Sequence, residues 1–218
     1  MNNNTICLSY ITLGYRDYTA SRFLLNNGYY FQGLTLASSA VEKYLKAILA
    51  FNGKTQKVHL NDLDRLRNSL TESYIDVTKY FDSRFMDLLG KAYKDRYYDD
   101  LKEPITIGFF VNQFLGELDF IIDFFENKII LDLRDGNGNI LKSQYKRDID
   151  NKNHDLYLNN YILNGISKKE HMEKPDTGVG MYFNPHAMSG EIQVLGKEIV
   201  NEYDGTIWEV NLKQQSNN

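Results

Sequence analysis

The sequence has little cysteine and proline, and no long uninterrupted hydrophobic run. Its 218 residues include one cysteine, Cys7, and three prolines. A lone cysteine excludes an intramolecular disulfide framework and the cysteine-rich zinc modules, and it is typical of a reducing compartment. The longest apolar region, residues 115–131, contains four carboxylates and is not expected to span a bilayer. Residues 1–5 lack the features of a secretory signal, so we expect a cytoplasmic protein.

An excess of positive charge is also missing. The chain has 25 basic and 29 acidic residues, for a net charge of −4. This balance argues against a protein that binds nucleic acid by bulk positive charge, although a local basic patch remains compatible with it. Composition alone does not identify a function.

Proline and glycine are distributed unevenly. Pro104 is the only proline of residues 1–128, whereas residues 129–218 hold the other two and eight of the fifteen glycines. We therefore predict a helical bundle over residues 1–128 and a smaller extension of mixed α/β or irregular structure over residues 129–218, disordered at its very end.

Apolar residues of the first part recur at three- and four-residue spacing, which is typical of amphipathic helices. The predicted helices cover about residues 17–27, 30–51, 62–70, 75–93 and 105–128. Five such helices joined by short loops predict a mainly α protein, an up-and-down bundle.

The pattern weakens after Lys128. A turn sequence, Asp135 to Gly138, predicts a hairpin between residues 129–131 and 139–141. Further expectations are a helix over 154–163, a long loop over 168–189, and two strands at 191–195 and 206–210.

Part of the bundle resembles a known family. The second helix reads ASSAVEKYLKAIL from Ala37 and is followed by Gly53 and His59, an order that resembles the central signature of the HEPN family. Residues 17–25 resemble the first helix of that family, and the DRYYD run at 95–99 resembles the Arg-Tyr segment that closes its fourth. The resemblance covers about residues 15–125 and leaves residues 129–218 outside.

What the resemblance implies is a four- or five-helix bundle that pairs into a homodimer. Members of the family are often encoded beside a small nucleotidyltransferase, so a protein of that type is an expected partner. They are associated with nucleotide or RNA binding and with toxin–antitoxin or antiviral systems.

The resemblance also raises the question of nuclease activity. Active members of the broader superfamily cut RNA without metal, through an Arg and a His that follows it by roughly four to six residues, as cation and acid–base group. Arg96 stands at the expected place, but residues 97–103 contain no His and hold three carboxylates, which would oppose a phosphate. His59 does not restore the spacing. The ribonuclease motif is therefore incomplete, and no catalytic residue is assigned beyond the candidate Arg96.

The sequence offers five candidate ligand-binding residues: Arg96, Tyr97, Lys43, Lys46 and His59. The three cations would supply positive charge, the tyrosine would stack on a base, and the imidazole would contact the ligand. Each has a structural alternative. The arginine pairs with a nearby carboxylate, the lysines belong to a solvated helix face, the histidine is a cap or buried partner, and the tyrosine is packed.

Metal and cofactor motifs are weaker still. His154, His171 and His186 are too far apart in sequence to predict a metal site, and Gly178-Val-Gly180 lacks the third glycine of a dinucleotide loop. We predict no metal and no cofactor.

Three hypotheses remain. The first is an interaction module that binds nucleotide or RNA in a toxin–antitoxin, defence or stress system. The second is an active metal-independent endoribonuclease toxin that uses Arg96 with a base other than histidine, Tyr98 or an aspartate. The third is a structural dimerisation module whose second part, with Trp208 and the strand at 191–195, carries the contact surface.

Overall fold

The structure is a computed structural model. It describes residues 3–54, 57, 59–60, 62–71, 77–95, 104–129, 138, 142–184 and 189–194. The helices are α1 (Asn3–Asn26), α2 (Tyr30–Phe51), α3 (Leu63–Thr71), α4 (Ser83–Asp95), α5 (Val111–Phe124), α6 (Gln144–Asp150), α7 (His154–Tyr157) and α8 (Lys168–Met172). The strands are β1 (Ile105–Phe110), β2 (Gly178–Asn184) and β3 (Ser189–Val194). A 3₁₀ turn covers Thr78–Tyr80 and a π-helical turn covers Phe125–Ile129.

Helices α1 and α2 form an antiparallel hairpin. Gly28 joins them with φ of 84°, a left-handed conformation that glycine adopts without strain and that ends α1 as the sequence predicts. Farther along, a Cβ placed on Gly33 would lie 2.6 Å from Leu25 Cγ, so the two helices approach too closely for a side chain there. The hydroxyl of Ser21 donates to the Gly33 carbonyl at 2.7 Å across the same contact.

Helix α2 and helix α5 form the centre of the core. Aromatic rings connect them to their neighbours: Phe114 of α5 lies 4.9 Å from Phe85 of α4, measured between ring centroids, and 5.3 Å from Phe109 of β1. The ring of Phe125 stacks on Tyr44 of α2 at 5.2 Å. This mainly helical bundle confirms the predicted fold class.

The three strands form one antiparallel sheet in the order β1-β2-β3. Ile105 of β1 pairs with Phe183 of β2, and Asn184 of β2 pairs with Ser189 of β3. The prediction of a helix from residue 105 was therefore wrong for its first six residues. They read ITIGFF, and β-branched and aromatic residues of this kind suit a pleated, half-buried surface better than a helix.

Other boundaries also differ from the predicted ones. The predicted loop over 168–189 was wrong, because α8 and β2 lie within it. Helix α1 begins at Asn3, well before the predicted start. Helix α7 ends at Tyr157, because the backbone leaves the helical region at Leu158, with ψ of 117°, before Asn159 adopts a positive φ of 55°. The predicted helix over 75–93 is divided, and Asp82 accepts the backbone N–H of Phe85 at 2.9 Å where α4 begins.

The strand predicted at 191–195 is confirmed by β3. Of the predicted hairpin at 129–141, only Ile129, which ends the π-helical turn, and Gly138 are described. The strand predicted at 206–210 and the predicted disorder at the end lie outside the described residues. Among the described residues no helix is long and apolar enough to cross a membrane.

The described parts of the extension pack on the bundle. Besides the pairing of β1 with β2, Tyr15 donates to Asp148 Oδ2 at 2.6 Å, Ser143 donates to Glu126 Oε2 at 2.6 Å, and Lys168 Nζ lies 2.7 Å from a carboxylate oxygen of α5. The division at residues 128 and 129 stays a prediction.

A buried ion pair joins α1 to α5. Arg22 donates to Asp119 Oδ1 and to the carbonyl of Leu158, and the hydroxyl of Tyr18 donates to the same carboxylate oxygen at 2.8 Å. Both charged side chains are at most 1% exposed. Burial raises the pKa of Asp119, although the guanidinium beside it acts in the opposite direction.

We predict that Arg22→Met lowers the free energy of unfolding by about 3–5 kcal/mol, because it leaves the Asp119 charge buried without its partner. Urea denaturation measures the loss. The double variant Arg22→Met/Asp119→Leu is expected to recover at least half of it. The control Arg84→Met, at an exposed position of α4, should change stability by about 0.5 kcal/mol or less. A loss no larger than that of the control would contradict the prediction.

Candidate functional site

Four polar side chains meet where α2, the loop after it and α4 come together. We call Glu42, Lys46, His59 and Tyr93 the Glu42 cluster. Glu42 and Lys46 lie one turn apart on α2, His59 lies in the loop, and Tyr93 lies in the last turn of α4. The i,i+4 spacing on α2 brings the carboxylate and the ammonium into contact.

Hydrogen bonds centre on the carboxylate and on one imidazole nitrogen. Lys46 donates to Glu42 Oε1 at 2.7 Å, and the backbone N–H of Leu60 donates to Glu42 Oε2 at 2.9 Å. His59 Nδ1 lies 3.1 Å from Glu42 Oε1, 2.8 Å from the hydroxyl oxygen of Tyr93 and 3.3 Å from Lys46 Nζ. The carboxylate thus fixes both the lysine and the backbone directly after the histidine.

The charge of Glu42 is stabilised in the folded protein. Burial by itself would raise the pKa of this carboxyl group, but hydrogen bonds from Lys46, Leu60 and His59, together with the ammonium charge, outweigh burial and lower the pKa below its ordinary value. An ionised Glu42 then balances the charge of Lys46. The lysine is therefore a paired cation, and the cluster has little net charge while His59 is neutral.

His59 is the member of the cluster that faces solvent. Its side chain is 47% exposed, whereas that of Glu42 is 9% exposed. Within the described residues, the polar contacts of its side chain all involve Nδ1. An Nδ1–H that donates to the carboxylate leaves Nε2 with a lone pair directed away from that contact, which suits it to accept a hydrogen bond or a proton from a ligand.

The structure unites only some of the residues predicted from the sequence. Lys46 and His59 come together, but the ammonium of Lys43 instead contacts Asp17 of α1 and the hydroxyl of Ser39. Arg96 and Tyr97 lie outside the described residues. Tyr93 is three positions before Arg96 in the chain, so the cluster adjoins the helix end that leads to it.

The alternative interpretations can be checked for two residues. The solvated helix face is wrong for Lys46, which is only 7% exposed, as is its partner Glu42. They are buried because their neighbours along the turn, Val41, Tyr44 and Leu45, all face the core. His59 does act as a hydrogen-bond partner, yet it is not buried. Sequence reasoning missed Tyr93, whose place beside His59 depends on the packing of α4.

Metal ligands do not converge in the described part of the chain: it contains no group of three or more His, Cys, Asp or Glu side chains placed to hold a metal ion. The side chains of the Glu42 cluster can donate and accept hydrogen bonds, and its imidazole can transfer a proton.

Comparison with known families decides the classification. Residues 10–121, just over half of the chain, match the family model of the HEPN domain. The chain belongs to the HEPN family. The Glu42 cluster and Arg96 lie inside the matched HEPN segment, whereas α6, α7, α8, β2 and β3 lie outside it. No curated protein and no solved structure matches this HEPN protein.

We predict that Glu42→Gln destabilises the protein in a pH-dependent way. The folded pKa of Glu42 is below its ordinary value of about 4.3, so its ionised form contributes stability above that pH and loses the contribution as pH falls through the folded pKa. At pH 7 the variant should lose about 1–3 kcal/mol.

Urea denaturation of both proteins between about pH 3 and pH 7 measures the difference, which should shrink as the carboxyl group of the unvaried protein becomes protonated. Glu170→Gln, at an exposed position of α8, is the control. A difference that stays constant with pH would contradict the role assigned to the ionised carboxylate.

Proposed function

We propose that this HEPN protein is a nucleotide- or RNA-binding module whose ligand contacts the Glu42 cluster and the segment that follows α4. The observation that carries the proposal is the exposed imidazole of His59, which is held by a buried carboxylate and a tyrosine beside the end of α4. An anchored imidazole loses little conformational freedom when it binds a ligand.

The charge and ring needed for such a ligand come from the neighbouring sequence. Lys46 is already paired with Glu42, so Arg96 supplies the positive charge for the ligand in this proposal, and Tyr97 supplies a ring on which a base stacks. His59 then contacts a phosphate or base edge. We leave Lys43 out of the proposed site, because its ammonium contacts Asp17 of α1.

The setting of the module is proposed from the family. We propose a cytoplasmic homodimer that works with a nucleotidyltransferase-type partner in a toxin–antitoxin, defence or stress system. Membership of the HEPN family supports this setting, and the structure bears only on the binding site itself.

We predict that His59→Ala and Arg96→Ala each weaken ligand binding at least tenfold, a loss of about 1.4 kcal/mol of binding free energy. Fluorescence anisotropy with a labelled pool of short RNAs, and competition by ATP, measures the affinity. Because each cation that contacts phosphate contributes to counterion release, Arg96→Ala should also reduce the salt dependence by about 0.7 in the slope of log K against log salt.

Lys169→Gln is the matched control, because this α8 lysine is 73% exposed and distant in sequence from the cluster. It should bind like the unvaried protein. The binding-module proposal is rejected if the protein binds neither RNA nor ATP. It is also rejected if His59→Ala and Arg96→Ala leave binding intact, and either result favours a structural dimerisation role.

One observation favours a second candidate function, a metal-independent endoribonuclease. The contact of Glu42 with Nδ1 of His59 leaves Nε2 able to accept the proton of a ribose 2′-hydroxyl as the 2′-oxygen attacks phosphorus. The P–O5′ bond then breaks to leave a 2′,3′-cyclic phosphate, and the departing 5′-oxygen takes a proton from water. Arg96 would stabilise the charge that develops on the phosphate. In this candidate His59 is the general base, although it does not follow Arg96 at the spacing of the ribonuclease motif. A base from Tyr98 or an aspartate is then not needed.

We predict for this candidate that RNA is cleaved equally with and without EDTA, and that His59→Gln and Arg96→Ala abolish cleavage. Glu42→Gln should slow it about 10–100-fold, because the imidazole loses its positioning partner. Gel electrophoresis of a mixed RNA pool measures the rates. RNA that stays intact with the unvaried protein excludes this candidate and leaves the binding module.

A further inference from the structure

A cavity lies between α1, the π-helical turn and α6. The cavity has a volume of about 380 Å³, and its lining includes Arg16, Glu126, Lys142, Ser143 and Arg147. It shares no lining residue with the Glu42 cluster. Every lining residue beyond position 121 lies outside the matched HEPN segment, so this site combines the bundle with the extension.

Three cationic side chains line this cavity, and two of them lack a carboxylate partner among the described residues. Arg147 donates from Nε and Nη2 to Gln144 Oε1, at 3.2 and 2.8 Å, and from Nη1 to the carbonyl of Lys142 at 2.8 Å. Arg16 is exposed and forms no ion pair within the described residues. Only Lys142 is matched by an acid, Asp150, at 2.5 Å.

The carboxylates near the cavity are occupied by hydrogen bonds. Glu126 is fully buried and accepts from the hydroxyls of Tyr44 and Ser143, at 2.6 Å each. Burial raises the pKa of Glu126, which favours its neutral form. Asp148 accepts from the Tyr15 hydroxyl at 2.6 Å and from an amide of α6. Neither Glu126 nor Asp148 forms an ion pair with Arg16 or Arg147 within the described residues.

The backbone around the cavity is also unusual. Glu126 lies in the π-helical turn Phe125–Ile129. Such turns are rare and occur frequently at functional sites. Here the turn brings the Glu126 carboxylate under the first residues of α6, where the hydroxyl of Ser143 also accepts the N–H of Lys146.

We propose that this cavity binds a small phosphorylated ligand, no larger than a mononucleotide. Guanidinium groups bind phosphate oxygens through paired N–H donors, and two of them beside one cavity suit a ligand with one or two phosphates. The volume lies at the lower end of the usual range for small-molecule sites, about 300–1,000 Å³. The ligand binds at Arg16 and Arg147, and its affinity does not depend on His59.

Isothermal titration calorimetry of the full chain tests the proposal with three probes: sodium pyrophosphate, AMP and adenosine. Pyrophosphate and AMP should bind and adenosine should not, because the recognised group is the phosphate. The double variant Arg16→Gln/Arg147→Gln should weaken both at least tenfold. Both positions are exposed, so circular dichroism should show an unchanged fold.

The matched control is Arg65→Gln/Arg84→Gln, which removes the same charge from exposed positions of α3 and α4. It should bind both probes like the unvaried protein. The proposal is overturned if neither pyrophosphate nor AMP binds at concentrations up to about 5 mM, because a weaker affinity than that would not indicate a specific site. Equal weakening by the control pair, which would indicate bulk electrostatics, also overturns it.

A further variant separates this site from the proposed RNA-binding function. His59→Ala should leave pyrophosphate binding unchanged. If RNA binding fails while pyrophosphate still depends on Arg16 and Arg147, only the proposed function is rejected. If pyrophosphate binding is lost in His59→Ala and kept in the arginine double variant, the phosphate site belongs to the Glu42 cluster and this proposal is wrong.

Discussion

The close crossing of α1 and α2 at Gly33 is the constraint on which the rest of the structure depends. Because no side chain fits between Gly33 and Leu25, α2 is pressed against α1 and is almost completely enclosed by α4 and α5 on its other sides. Polar groups in such a helix must find partners, since an unpaired buried polar group is costly. Glu42 accepts a hydrogen bond from the loop after α2, and Tyr44 donates one to Glu126 in the π-helical turn.

These two contacts explain why one helix supports two distinct sites. Glu42 captures the backbone of Leu60 and thereby holds His59 against Tyr93. Two residues farther along α2, Tyr44 donates to Glu126, whose other carboxylate oxygen accepts from the hydroxyl of Ser143 in the extension. The HEPN bundle is thus linked through α2 both to the end of α4 and to the cavity beside α6.

Sequence periodicity predicts the elements whose stability is local. The predicted bounds of α2 are correct to the residue, because its apolar stripe and the glycines that flank it, Gly28 and Gly53, lie close together in the sequence. Strand β1 was missed because its partner, Gly178–Asn184, is far away in the chain and its six residues also continue a helical stripe. The four-residue spacing of Glu42 and Lys46 can be read from the sequence. The burial of these two side chains, their contact with His59 and the cavity beside α6 cannot, because they depend on packing between distant segments.

The register of the sheet has a consequence for synthesis on the ribosome. Strand β1 passes directly into α5, and it pairs with β2 along its whole length. While the intervening residues are translated, the nascent bundle carries an open strand edge, and such edges attract other chains. The bundle can assemble early, yet this edge is covered only when Gly178–Asn184 has left the exit tunnel, so a pause in elongation between the two strands would prolong the stage most prone to misassembly.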